Sequence, residues 1–150
     1  MQFWPEFKGR DGCRTPMPWV TDNTNGGFSD KKPWLPMAAE HLHRSVGEQI
    51  DQTDSLLAFY KRAIAYRTAR KALVQGSADI VSASDTSLVM IRTFENQRVL
   101  CAFNFSDASV ELTLPTGEWQ NDALAPFASE IVNGRLQLEA YSAGFARDAA

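Results

Sequence analysis

The sequence predicts an α+β fold in which a loop-rich first half leads into one long helix and then into a small antiparallel β-sandwich. Prolines, glycines and aromatic residues punctuate residues 3 to 52, which makes regular structure there unfavourable. After Asp54 the apolar residues recur at the three- and four-residue spacing of a helix, and after Gly76 they recur with a period of two, as in strands. We therefore expect two parts, residues 1–75 and residues 76–150.

The composition is that of a globular chain with no preference for polyanionic partners. The 150 residues are 44% hydrophobic and 22% charged, with a formal net charge of -3. No basic run is longer than Lys31-Lys32, which disfavours nucleic acid as a partner. No stretch approaches the roughly 20 apolar residues that span a bilayer, and the first residues do not resemble a signal peptide. We expect no membrane association and a cytoplasmic location.

Neither cysteine indicates a disulfide or a metal site. Cys13 and Cys101 lie far apart and lack the spacing of metal ligands, so we expect two free thiols, with Cys101 in a core. The pair His41 and His43 also lacks a trusted metal spacing, so we interpret both as surface or hydrogen-bonded side chains. The sequence therefore predicts neither a metal nor another cofactor.

The most distinctive stretch is the run GRDGCRTPMPW at residues 9–19. Its two glycines permit turns and its two prolines fix φ, which predicts a shaped, rigid loop. Arg10 and Arg14 each carry a planar fork of five donors, which suits an internal carboxylate, loop carbonyls or a polar ligand. The residues alone leave these alternatives open.

Together with the runs NGGF at 25–28 and PWLP at 33–36, this loop resembles the segment that follows the eighth barrel strand in α-glucosidases and oligo-1,6-glucosidases of glycoside hydrolase family 13. Residues 54–62 resemble the helix that closes the barrel of that family. The resemblance implies that residues 1–75 are the tail of a (β/α)8 catalytic barrel and that residues 76–150 are the C-terminal β-sandwich domain.

The resemblance also implies an activity for the parent enzyme, which is the retaining hydrolysis of terminal non-reducing α-linked glucose in an oligosaccharide. Arg14 matches the family's arginine that reaches the terminal glucose, while Arg10 and Asp11 match a supporting part of the loop. The family's catalytic carboxylates come from earlier barrel strands, so no catalytic residue is expected here. Two alternatives are a fragment of a sucrose isomerase or trehalose synthase, and a non-catalytic β-sandwich that binds carbohydrate or protein.

The helix is expected to begin with Asp54 or Thr53 as its N-cap and to end before Gly76. We expect Leu73 and Val74 to be buried just before that glycine. The apolar positions that recur along the helix are Leu56, Leu57, Tyr60, Ala63 and Ile64.

Three strands, 88–94, 99–105 and 110–114, are expected to be adjacent and antiparallel. Asn133-Gly134 predicts a hairpin turn between 131–132 and 136–138, and residues 144–147 are expected to supply a closing strand.

The loop and the helix also carry apolar surface that needs a partner. Trp19 and Trp34 are interpreted as anchors on a scaffold, with stacking on a sugar ring as the alternative. Because leaving such faces in water would expose a large apolar patch, we expect the chain to self-associate or to pair with the rest of the barrel.

Overall fold

The computed structural model describes residues 9–127 and 129–148 and confirms the α+β fold. The chain divides into two compact units, the first running up to Tyr60 and the second starting at Lys61. The expected division into 1–75 and 76–150 stays a prediction. Within the described residues, no helix is long and apolar enough to cross a membrane.

The first unit consists mainly of loops, as the sequence predicts. Its described residues before the long helix contain two short 3-10 turns, Asp11–Cys13 and Thr24–Gly27, and two short helices, α1 (Ala39–Leu42) and α2 (Val46–Gln49). Ser45, which is fully buried, caps α2 by accepting a hydrogen bond from the backbone N–H of Glu48 at 3.4 Å. The capping hydroxyl also lies 3.3 Å from the hydroxyl of Thr21, so α2 is tied to the loop that precedes it.

The long helix, α3 (Leu56–Ala69), is capped by Ser55. The Ser55 hydroxyl accepts a hydrogen bond from the N–H of Ala58 at 3.1 Å, which is the geometry of an N-cap. The prediction of Asp54 or Thr53 as the cap was therefore wrong by one or two positions. The reason is a preceding turn, in which the N–H of Ser55 donates to the carbonyl of Gln52.

The helix also ends earlier than the sequence predicts. The backbone leaves the helical region at Arg70, with φ -116° and ψ 100°, and a separate short helix, α4 (Lys71–Gln75), follows. Ala72 is the fully buried residue of α4, whereas Val74 is 45% exposed, so the prediction that Val74 is buried was wrong. Gly76 ends α4 where a Cβ would lie only 2.6 Å from the carbonyl oxygen of Thr93, so a larger residue has no room there.

The second unit is a β-sandwich of one five-stranded and one three-stranded antiparallel sheet, with strand orders β1-β2-β3-β8-β5 and β4-β7-β6. The strands are β1 (Ser77–Ala83), β2 (Ser87–Phe94), β3 (Gln97–Asn104), β4 (Val110–Thr113), β5 (Trp119–Asn121), β6 (Glu130–Val132), β7 (Arg135–Leu138) and β8 (Ala143–Asp148). Their shared core is formed by Val89, Leu100, Ala102, Trp119, Leu136, Leu138 and Ala146.

The predicted hairpin is confirmed and the predicted order of the first three strands is corrected. Asn133 and Gly134 both have positive φ, 49° and 75°, as a tight turn between β6 and β7 requires. However, β4 pairs with β7 in the smaller sheet, and β3 lies between β2 and β8. Strand β8 lies between β3 and β5, and Gly144 leaves the room that the side chain of Leu138 needs there. A Cβ at position 144 would lie 2.6 Å from Cδ2 of Leu138.

The outer face of the larger sheet carries a second apolar cluster. Ala72 of α4 packs with Val99 and Cys101 of β3, and all three are buried. Burial raises the pKa of the Cys101 thiol to about 12, which keeps it protonated and unreactive, and confirms its place in a core. Cys13 is an exposed free thiol.

An ion pair between the half-buried Arg70 and the buried Asp122 ties the helices to the sandwich. Arg70 donates from Nε and Nη2 to the two carboxylate oxygens of Asp122, at 2.7 and 2.6 Å. The hydroxyl of Tyr66 and the N–H of Leu124 donate to the same carboxylate, both at 3.2 Å. Burial alone would raise the pKa of Asp122, but its hydrogen bonds from Arg70, Leu124 and Tyr66 together hold that pKa below its usual value.

Replacing Asp122 by Asn should destabilise the chain in a pH-dependent way. At pH 7 we expect Asp122→Asn to lower the free energy of unfolding by about 3 kcal/mol, the lower end of the range for a buried pair, because the Arg70 guanidinium, 18% exposed, loses its counter-charge. The contribution of a carboxylate with a lowered folded-state pKa is present above its unfolded pKa, about 3.9, and is lost as the pH falls through the folded value. The difference in free energy of unfolding between wild type and variant, measured by urea denaturation, should therefore shrink below about pH 4.

The matched control is Glu111→Gln. Glu111 pairs with Arg135 at 3.4 Å, and both side chains are more than half exposed, at 54% and 57%. Losing this ion pair should lower the free energy of unfolding by less than about 1 kcal/mol at pH 7. Equal effects of the two substitutions would contradict the role assigned to Asp122.

Candidate substrate-binding loop

The predicted arginines lie at the two ends of one 3-10 turn. The carbonyl of Arg10 accepts a hydrogen bond from the N–H of Cys13, and the carbonyl of Asp11 accepts one from the N–H of Arg14, both at 3.1 Å. The turn therefore separates the two guanidinium groups by a fixed stretch of backbone.

Neither arginine side chain is paired within the part of the chain that the structure describes. Arg10 and Arg14 are exposed, and the described residues give their guanidinium groups no hydrogen bond or ion pair. Asp11 is half-buried and likewise has no ion pair among the described residues. Of the interpretations that the sequence left open, this arrangement favours a ligand, because the donors are not used inside the loop.

The end of the loop is held by backbone hydrogen bonds from two later segments. The N–H groups of Trp19 and Val20 both donate to the carbonyl of Gly26, at 2.7 and 3.0 Å. The carbonyl of Trp19 accepts a hydrogen bond from the N–H of Gly47 at 2.9 Å, and the carbonyl of Pro18 accepts one from Val46 at 3.1 Å. The loop therefore runs from the two arginines into a firmly anchored base.

The anchoring turn at 25–27 requires an unusual backbone. Asn25, Gly26 and Gly27 all have positive φ, at 57°, 58° and 71°. The side-chain amide of Asn25 donates to the carbonyls of Ser29 and Lys31, at 3.0 and 3.2 Å, and so holds the turn closed. Gly26 is buried, and a Cβ at this position would lie 2.8 Å from the sulfur of Met37. Glycine is therefore favoured at position 26 by the positive φ and by the lack of space for a Cβ.

A cavity of about 230 Å³ lies beside the loop in the first unit. It is lined by Thr15, Pro16, Met17, Pro18, His41 and Arg44. No pattern in the sequence predicts that His41 and Arg44 approach the loop, because they come from α1 and the turn after it. His41 is half-buried and His43 is exposed, consistent with the expectation of ordinary surface histidines.

Three aromatic residues of the first unit, Trp19, Phe28 and Trp34, are exposed. Trp34 is 77% exposed, Trp19 is 51% exposed and Phe28 is 49% exposed. The described residues therefore do not supply the scaffold on which the sequence predicts Trp19 and Trp34 to be anchored. Among the described residues there is also no group of three or more His, Cys, Asp or Glu side chains that could hold a metal ion.

The chain belongs to the α-amylase family, because residues 1–76 match the family model described as alpha amylase, catalytic domain.

Curated relatives of the chain carry glucosidase names. It is 41% identical over 147 residues to a probable alpha-glucosidase of Rhizobium meliloti (strain 1021), covering 98% of this chain and 26% of the relative. It is 31% identical over 110 residues to an oligo-1,6-glucosidase of Parageobacillus thermoglucosidasius, covering 73% of this chain and 19% of the relative. The chain thus spans about a quarter or less of the length of these relatives.

Solved structures of the family match both parts of the chain. The crystal structure of an alpha-glucosyl transfer enzyme, XgtA, is 39% identical and superposes with a TM-score of 0.87, over 97% of this chain and 27% of that one. The isomaltulose synthase of Klebsiella sp. LX3 is 27% identical with a TM-score of 0.74, over 93% of this chain and 26% of that one.

Substituting Gly26 should loosen the base of the arginine loop. We expect Gly26→Ala to lower stability by about 1–3 kcal/mol, because alanine is strained at positive φ and its methyl group meets Met37. Amide hydrogen exchange at Trp19 and Val20 should become faster, since both donate to the Gly26 carbonyl. Gly12→Ala is the control in the same loop, because a Cβ there meets nothing within 4 Å. Equal exchange in both variants would show that the turn does not hold the loop.

Proposed function

We propose that this chain is the C-terminal part of an α-glucosidase that removes terminal non-reducing glucose from α-linked oligosaccharides with retention of configuration. The observation that carries the proposal is the arginine loop at residues 9–19, whose guanidinium groups are unpaired among the described residues and whose base is anchored. The names of the relatives, alpha-glucosidase and oligo-1,6-glucosidase, support the same activity. A cytoplasmic location stays a prediction.

In this proposal Arg14 binds the terminal glucose, and Arg10 and Asp11 support the loop. A guanidinium fork donates to two neighbouring hydroxyl oxygens at once and so fixes both the position and the rotation of the ring. The base of the loop is held at Trp19 by Gly26 and Gly47. Its backbone therefore has little conformational freedom left to lose when glucose binds. Such a group contributes positioning and leaves the bond chemistry to others.

Retaining hydrolysis needs two carboxyl groups about 5 Å apart, one as nucleophile and one as acid and then base. We propose that the segments of the catalytic domain outside residues 1–76 supply both, and that the chain itself has no catalytic residue. The match of residues 1–76 to the catalytic-domain model supports a part of an enzyme over a separate carbohydrate- or protein-binding module.

Glucosyl transfer is the second candidate, and the similarity to the alpha-glucosyl transfer enzyme favours it specifically. Isomaltulose synthases, named in another similar structure, represent a related reaction. An arginine that orients the glucose unit serves hydrolysis and transfer equally, since the two differ in whether water or a sugar hydroxyl attacks the glucosyl intermediate. The arginine loop would therefore act in the steps that hydrolysis and transfer have in common, which are glucose binding and formation of the glucosyl intermediate.

Removing the Arg14 guanidinium from the whole enzyme tests the proposed role. We expect Arg14→Ala to reduce kcat/KM for an aryl α-glucoside by an amount equivalent to about 2–5 kcal/mol, because a charged contact to the substrate is lost. Arg14→Lys should recover only part of this, since an ammonium group cannot bind two hydroxyls as a fork does. Glucose and aryl-alcohol release, measured together, distinguish hydrolysis from transfer.

Arg10→Ala is the matched control, because it removes an equally exposed guanidinium from the other end of the same turn. We expect Arg10→Ala to change kcat/KM much less than Arg14→Ala does. If Arg14→Ala keeps full activity with an unchanged fold, Arg14 does not bind substrate. The 150-residue chain alone should show no turnover, and activity abolished by changing one of its own carboxylates would contradict the assignment of catalysis to other segments.

We also propose that the chain self-associates or pairs with the rest of the catalytic domain through helix α3. Leu56, Tyr60 and Ile64 follow one another at four-residue spacing and are 66%, 57% and 62% exposed. Residues four apart lie on one side of a helix, so these side chains form an apolar stripe. Burying such a side chain is worth roughly 1.5–3 kcal/mol, which favours a partner that covers the stripe.

Sedimentation equilibrium of the isolated chain at micromolar concentration should detect this association as a mass above that of the monomer. Ile64→Lys should return the chain to a monomer, because it places a charge in the stripe. Ala65→Lys, which adds the same charge at the next exposed position of the helix, should leave the mass unchanged. A monomeric wild-type chain would contradict self-association.

A further inference from the structure

The second unit contains a cavity of about 470 Å³ that the proposed function does not use. Three segments form its walls: the junction of α3 and α4, the hairpin between β2 and β3, and the end of β8. The charged residues of its lining are Arg70, Lys71, Glu95, Arg98, Arg147 and Asp148. Its volume lies within the roughly 300–1,000 Å³ that is usual for small-molecule sites.

The lining has more positive than negative charge, and part of the negative charge is already neutralised. Asp148 is paired with Arg98 at 2.7 Å, so it does not compensate the other cations. Arg70 is paired with Asp122, which does not line the cavity. Among the described residues, Lys71 and Arg147 have no carboxylate partner. Two uncompensated cations therefore remain against the exposed carboxylate of Glu95.

The cavity also has more hydrogen-bond donors than acceptors. Arg70 uses Nε and Nη2 on Asp122, Arg98 uses Nη1 on Asp148, and Arg147 uses Nη2 on the side-chain oxygen of Gln120. Each guanidinium has five N–H donors, so each retains donors beyond those bonds. A side-chain acceptor in the wall, Oε1 of Gln97, is already occupied by the N–H of Ala72 at 2.8 Å. A ligand that suits these walls is therefore rich in acceptors.

Two of the four cationic groups, Arg70 and Arg98, are held in place before any ligand arrives. Arg70 is fixed by its bidentate pair, and its side chain is only 18% exposed. The guanidinium of Arg98 lies over the ring of Trp119 at 4.9 Å in addition to its ion pair. The bond between Ala72 and Gln97 joins the helix junction to the hairpin, so two of the three walls move together. Less side-chain entropy is lost on binding at such a preorganised site.

We propose that this cavity binds a phosphate monoester of a sugar-sized molecule. The phosphate supplies a double negative charge and three acceptor oxygens, which match the uncompensated Lys71 and Arg147 and the unused donors of the guanidinium groups. The volume exceeds what a bare phosphate fills, and Asn96 and Glu95 in the hairpin wall offer polar groups to hydroxyls of the remaining molecule. This site is independent of the glucose-binding role proposed for Arg14.

The test measures binding of glucose 6-phosphate, inorganic phosphate and glucose to the chain by titration calorimetry at one ionic strength set with chloride. We expect glucose 6-phosphate to bind more tightly than inorganic phosphate, and glucose not to bind at this site. In parallel, amide chemical shifts of residues 94–98 should move on addition of glucose 6-phosphate.

The double variant Lys71→Gln/Arg147→Gln should weaken binding of glucose 6-phosphate at least tenfold, and because both positions are exposed we expect it to fold normally. The double variant Lys61→Gln/Arg135→Gln removes the same charge from exposed positions outside the cavity and should bind as the wild type does. Equal weakening in both variants would identify a general charge effect and overturn the proposal. So would equal affinity for inorganic phosphate and glucose 6-phosphate, or shift changes that leave residues 94–98 unmoved.

Discussion

The carboxylate of Asp122 is the point on which the second unit depends, because four donors from three parts of the chain converge on it. Arg70 contributes two of them, Tyr66 and Leu124 one each. A carboxylate on a side chain that is only 2% exposed is costly unless its charge and its lone pairs are satisfied. Arg70, which makes this bond, is also the residue with extended backbone angles at which α3 has stopped.

This constraint extends from the fold to the cavity walls. Because Arg70 is fixed on Asp122, Lys71 and α4 begin at a defined place on the outer face of the larger sheet, and Ala72 is buried there. The N–H of Ala72 then holds Gln97 in the β2–β3 hairpin. One ion pair thus orders the helix junction and, through it, the hairpin that faces the cationic cavity.

The parts of the fold that the sequence predicts are those that short-range patterns specify. The alternation in β2 and β3, and the Asn133-Gly134 turn, are local signals, and the structure confirms them. Strand β1 escaped prediction because it is an edge strand exposed along its whole length, so its sequence does not alternate. The placement of β4 beside β7, and the break at Arg70, depend on contacts between residues far apart in sequence.

The candidate site follows the same division between local and long-range information. Arg10, Asp11 and Arg14 are found from the motif, because the run of residues itself resembles the family's loop. The bonds that hold the loop come from Gly26 and Gly47, and no pattern in the sequence joins these residues to Trp19. The position of Arg14 is therefore a property of the folded first unit as well as of the motif. Since a binding group is useful only when it is held in place, the turn at Gly26 that anchors Trp19 and Val20 supports the proposed role of Arg14.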